Sequence, residues 1–184
     1  MNTARLPHEN TDTIGLICAL LVRFPEIASV RSMPTDGNVR FTFVVSRKLD
    51  KAAQRAVIAS IDEHVESFLH LEGDAAGTVR VECETDKSMT FIHVTRDLET
   101  FSRDELILLV NIFAERFRDS LVRNPSSEDH FEEDPAAQEE LIDCAIESMR
   151  DPKQSKSLVG FREEKRVLVY FLKSQKKAKA SARS

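Results

Sequence analysis

Asp62, Glu66 and His70 recur at i, i+4 and i+8. On a helix that spacing puts two carboxylates and an imidazole on one face, where they could ligate a metal. A closed metal site also draws ligands from a second element, and no such set stands at a matching spacing, so a solvated helix face is expected. His64 falls on the apolar stripe of the same stretch, which predicts a satisfied core or boundary histidine rather than a general base. His93 lies in Phe91-Ile92-His93-Val94 and alternates with Phe91. On a strand both would point out of a sheet, as the stacking aromatics of RNA-recognition motifs do. The basic–glycine–aromatic order of that motif is missing here. An enzyme would have to assemble its site from His64, His93 and acids distant in sequence.

Other chemistries find little material. The chain has no Gly-rich phosphate loop, dinucleotide fingerprint, nucleophile elbow or zincin helix, and only five glycines in all. No catalytic residue, metal ligand or cofactor is assigned. Cys18, Cys83 and Cys144 lie far apart, without metal-ligand spacing. Each falls on an apolar stripe, which predicts buried free thiols in a reducing cytosol.

Charge is the strongest functional signal. Residues 1–149 hold 15 Lys/Arg against 28 Asp/Glu, a net of −13, whereas residues 150–184 hold 11 against 3, a net of +8. Such a split points to a separate partner for the basic end. Lys173, Lys176, Lys177, Lys179 and Arg183 carry the tail's positive charge without an acid among them, and Arg162, Lys165 and Arg166 precede them. A cationic segment of this kind neutralises phosphates by counterion release, without reading base sequence. The competing reading is a solubilising tail. The acid run at 128–140, with seven acids and no Lys/Arg, lacks the frame of a calcium loop and reads as a solvated connector.

The elements that would position these residues follow from hydrophobic period. Residues 1–10 read as a loose terminus and 11–172 as a single α+β domain, with an acidic loop at 124–135. Residues 173–184 have no apolar side chain larger than Ala and read as a disordered basic tail. Helices are expected near 12–24, 50–72, 103–120 and 136–150, and antiparallel hairpins at 30–45, 78–95 and 158–172. Thr11 or Asp12 is placed to cap the first helix. That helix is apolar nearly all round, so Ile17, Leu20 and Leu21 are expected to be buried, by the fold or by a partner. Pro34-Thr35-Asp36-Gly37-Asn38 is a turn signal. Ser102 and Glu105 match a capping box, and Asp134-Pro135 a helix start. Val167–Leu172 is apolar on both faces, which predicts an inner strand. The middle section follows a split βαβ (ferredoxin-like) plan, completed by a further strand beside its first. The dense apolar run Ile14–Val22 is too short to cross a bilayer, and its acidic approach does not suit a signal peptide, so a cytoplasmic protein without membrane contact is expected.

Leu21-Val22-Arg23-Phe24-Pro25-Glu26-Ile27, Gln138-Glu139-Glu140-Leu141-Ile142 and Arg162-Glu163-Glu164-Lys165-Arg166-Val167-Leu168-Val169 resemble a group of small uncharacterised bacterial proteins, some of them labelled ribosomal-RNA biogenesis factors. These segments cover about a tenth of the chain and contain no catalytic motif. The resemblance implies a bacterial cytosolic protein and carries over no functional residue. It agrees with the basic tail. The first expectation is therefore a non-enzymatic binding module near RNA or the ribosome. The second is a protein-interaction or homodimeric regulator using the apolar first helix, and the third a small enzyme with a non-local site.

Overall fold

The computed structural model describes residues 8–124, 134–164 and 166–173, with side chains from residue 13 onward. Chain order is α1 (His8–Arg23), β1 (Ser29–Met33), β2 (Asn38–Val45), α2 (Lys51–Glu72), β3 (Val79–Asp86), β4 (Met89–Asp97), α3 (Arg103–Phe117), α4 (Pro135–Arg150), β5 (Leu158–Glu163) and β6 (Arg166–Phe171). The strands form one antiparallel sheet in the order β3-β4-β2-β1-β5-β6. The protein is α+β, and its three hairpins stand where period switching puts them.

Alternation decides which face of the sheet is covered. Val39, Phe41, Phe43 and Val45 of β2 share a face with Ile92 and Val94 of β4, with Val30 of β1 and with Leu158 of β5, and all are buried. The helices lie on that face. Phe113 of α3 stacks on Phe43 at 3.7 Å between ring centroids. A Cβ at Gly160 of β5 would come within 2.5 Å of Ile17 Cγ2 of α1. Helix α2 packs against β3, and α4 packs on α1 and α3. With the sheet on one side and α4 on the other, α1 buries Ile17, Leu20 and Leu21 within one chain. Val22 of the same helix stays 51% exposed.

Strands β2 and β3 both run antiparallel to β4 and are therefore parallel to one another, with α2 as their crossover. This is the split βαβ arrangement. The place beside β2 is taken by β1, which precedes the unit in the chain.

Local start signals act largely as the residue types dictate. Asp50 Oδ1 accepts the Ala53 N–H at 2.7 Å, and Asp134 Oδ1 accepts the Ala136 N–H at 3.2 Å with Pro135 first in α4. Gly37 (φ +65) ends the short 3₁₀ turn Pro34–Asp36 between β1 and β2. Helix α1 begins at His8, earlier than the Thr11 or Asp12 cap expected from sequence. Ser102 Oγ accepts the Glu105 N–H at 3.3 Å, but the Glu105 carboxylate turns to Arg96, so only half of the capping box forms. The inner position expected for Val167–Leu172 is corrected: β6 is an edge strand, bonded on one side to β5 alone. Among the described residues, no helix is long and apolar enough to cross a membrane.

Candidate binding surface on the open face of the sheet

The second face of the sheet carries the alternate residues of every strand, and none of the described helices packs on it. Register aligns them in rows. Tyr170, Val159, Arg31, Arg40, Thr95 and Arg80 are successive partners across all six strands. The neighbouring row is Leu168, Phe161, Ser29, Thr42, His93 and Glu82. Three arginines thus stand in one line, ending at an aromatic cluster. In that cluster the Phe161 and Tyr170 rings stack at 5.7 Å between centroids, inclined by 23°. Tyr170 is 52% exposed.

The arginines differ in their ties. Arg40 donates to Thr95 Oγ1 at 3.0 Å and to Glu82 Oε2 at 3.2 Å, which fixes its guanidinium on the surface. Arg31 and Arg80 are exposed and make no hydrogen bond or ion pair among the described residues. His93 lies between Thr42 Oγ1, at 3.0 Å from Nδ1, and Glu84 Oε2, at 3.7 Å from Nε2. Burial pushes the His93 pKa down, the Arg40 charge adds to that, and Glu84 opposes both. His93 is therefore neutral at neutral pH.

Of the residues named for nucleic-acid contact, Arg166 is exposed on this open face and Lys173 is exposed just past β6. Arg162 points to the helix side, where its Nη2 donates to the Phe24 carbonyl at 3.3 Å and burial lowers its pKa. Lys165, Lys176, Lys177, Lys179 and Arg183 lie outside the described residues, as does most of the acidic loop, 125–133.

His64 and His93 are not brought together. His93 faces outward from β4, while His64 is exposed on α2, with its Nδ1 2.6 Å from the Ser60 carbonyl oxygen. Its expected place on the apolar stripe is corrected, since Ile61, Val65 and Leu69 hold that line and the ring points off it. Leu71, near the end of the same helix, is 84% exposed. Among the described residues, no group of three or more His, Cys, Asp or Glu is placed to hold a metal, the Asp62/Glu66/His70 face included. Cys18 and Cys83 are half-buried free thiols, with pKa raised by burial, but Cys144 is exposed on α4, against expectation.

Sequence reasoning passes over one polar cluster. Arg96 follows Ile92 and Val94 in alternation and so enters the core, where it is fully buried. Its Nε and Nη2 donate to the two carboxylate oxygens of Glu105 at 2.5 and 2.9 Å, and its Nη1 contacts Asp97. Burial alone would raise the Asp97 carboxyl. The Thr100 hydroxyl, the Thr78 and Thr100 N–H groups and Arg96 outweigh it and hold the group at about 2. An open recess of about 550 Å³ lies beside this cluster, lined by Asp36, Gly37, Gly77, Asp97, Glu99 and Arg150 among others. Arg150 is committed to the Leu98 and Phe101 carbonyls, which it reaches at 2.5 Å each. Of the recess acids Asp97 is already engaged, and the cation in its lining, Arg150, is committed. No protein-family model, curated protein or solved structure matches the chain.

Proposed function

We propose that the protein is a non-enzymatic binding module that takes single-stranded RNA on the open face of its sheet. The observation that carries this reading is the arginine row ending at the stacked Phe161–Tyr170 pair. Single strands are held by aromatic faces that stack on bases and by cations that follow the phosphates, and neither needs base-specific hydrogen bonds. Phe161 and Tyr170 supply the first kind of contact, and Arg31, Arg80 and Arg166 the second. The basic tail leaves the sheet at Lys173, directly after the strand that carries Tyr170. It adds phosphate contacts to the same track. The resemblance to proteins labelled for ribosomal-RNA biogenesis agrees with this reading.

Tyr170 is the only tyrosine and the chain has no tryptophan, so its near-ultraviolet emission reports this surface alone. Titration with mixed-sequence oligoribonucleotides at low salt is expected to quench that emission, and added salt to reverse the quench. Phe161→Ala should weaken binding by about 1–3 kcal/mol, the worth of one base–aromatic stack, measured by anisotropy of a labelled oligonucleotide. No quench and no anisotropy change at low salt would overturn the reading.

A further inference from the structure

The register row that holds Phe161 has a second ring in it. From β5 the row runs Phe161, Ser29, Thr42, His93, one residue to a strand. Three strand spacings of about 4.8 Å part the two rings at the backbone, about 14 Å in all. Between them stand two small hydroxyl residues, Ser29 half-buried and Thr42 buried. Arg31 and Arg40 lie beside that gap, in the next row of the same two strands. A ring thus stands at each end of a low floor, with guanidinium groups along one side. The His93 ring is fixed at both nitrogens, Nδ1 at 3.0 Å from Thr42 Oγ1 and Nε2 at 3.7 Å from Glu84 Oε2, and 20% of its side chain stays open. A ring already oriented loses little freedom when a base stacks on it. Beyond His93 the row ends at Glu82, on the edge strand β3, with Glu84 close by on the same strand. Their carboxylates close the row to phosphate on that side.

We propose that His93 is a second base-stacking position on the open face, and that with the Phe161–Tyr170 pair it sets the shortest RNA held along the whole row at about four nucleotides. The inference rests on the single-stranded RNA reading above and adds a length requirement to it. Histidine serves as a stacking partner for unpaired bases, as phenylalanine and tyrosine do. A strand stacked as in a duplex rises about 3.4 Å per base and covers 14 Å in about four steps, and a drawn-out strand needs fewer. Its bases lie over the row of Phe161 and His93, and its phosphates pass on the side of Arg31. A dinucleotide reaches one platform only. It takes the Phe161–Tyr170 pair, because Tyr170 is 52% exposed and the His93 side chain is largely covered.

The test is a proton NMR titration of the full chain with oligouridylates of two and of six residues at low salt, with the ring signals of Tyr170 and His93 assigned. Dinucleotides are expected to move the Tyr170 signals and leave those of His93 in place. Hexanucleotides should move both. His93→Ala should weaken hexanucleotide binding about tenfold, within the worth of one base–aromatic stack, and leave dinucleotide binding unchanged. His93→Phe keeps a ring but neither contact of the imidazole nitrogens, and it should keep the hexanucleotide affinity. Circular dichroism of each variant verifies the fold, and the shifts of the unaltered chain stand without any variant. Hexanucleotides that leave His93 unmoved, an equal loss at both lengths in His93→Ala, or a His93→Phe as weak as His93→Ala would each overturn the inference and leave the RNA reading in place. No shift at either length would overturn both.

Discussion

Glu105 opens α3 three residues after Ser102, the spacing at which a glutamate returns to its own cap, yet its carboxylate faces Arg96 instead. A guanidinium buried without an anion would cost far more than a missing half-cap, so the ion pair wins the competition for this side chain. Glu105→Ala leaves Arg96 uncompensated and should lower stability by about 3–5 kcal/mol in urea unfolding. Arg96→Met combined with Glu105→Leu should recover most of that loss, because desolvation of the pair offsets much of its attraction. Burial raises the Glu105 carboxyl, whereas the acid limb of the cluster's pH dependence falls to Asp97. Its folded pKa of about 2 lies below the ordinary carboxyl value, so its stabilisation is full at neutral pH. It is lost as pH falls from about 4 through about 2, and a shift of this size is worth about 2 kcal/mol. Asp97→Asn should therefore flatten the acid limb of a stability–pH curve in that window and leave the neutral-to-alkaline shape unchanged.

Two glycines show how the elements bear on one another. A Cβ added at Gly15, in α1, would have nothing within 4 Å, whereas the same atom at Gly160 would meet Ile17 Cγ2 at 2.5 Å and Leu21 Cδ1 at 3.1 Å. Gly15→Ala should stabilise by about 0.5–1 kcal/mol through helix propensity. Gly160→Ala should destabilise by about 1–3 kcal/mol, because α1 must lift off β5. Thermal unfolding of the two variants should move in opposite directions. Strands and helices are legible in sequence wherever one face is polar and the other apolar, as in Val39–Val45 and Leu106–Phe117. The edge position of β6 is not, because an apolar strand reports that both faces are covered and leaves open what covers them. His64 departs from expectation because the line through Val57, Ile61, Val65 and Leu69 meets the core, and a wider stripe drawn from sequence takes in its exposed neighbours. Arg96 is within reach of sequence, since alternation from Ile92 and Val94 carries an arginine inward, but the local role of Glu105 hides its partnership. The binding surface is half legible. Phe91 and His93 do face outward from β4, but the row of Arg31, Arg40 and Arg80 exists only once β1, β2, β4 and β3 are set side by side. Strand order has no signature in a single sequence.

At the scale of the molecule, charge and architecture divide the work. The four described helices cover one face of the sheet, the other face carries the arginine row, and the basic segment that begins at Lys173 follows the edge strand β6 in the chain. If RNA follows this track, deleting residues 174–184 removes phosphate contacts and leaves the aromatic cluster in place. Affinity should then fall for all base sequences alike. The slope of log affinity against log salt should flatten by about 0.7 for each phosphate of a single strand that the shortened chain no longer neutralises. Stability should stay unchanged, because the deleted segment has no apolar side chain larger than Ala to bury. The measurement pairs a salt titration of labelled RNA with thermal unfolding, for the full chain and the truncated one. Equal slopes for the two chains would assign the tail to solubility and leave RNA to the sheet alone. A lower unfolding temperature after truncation would instead make the tail part of the fold, and Lys173 would cease to mark the end of the domain.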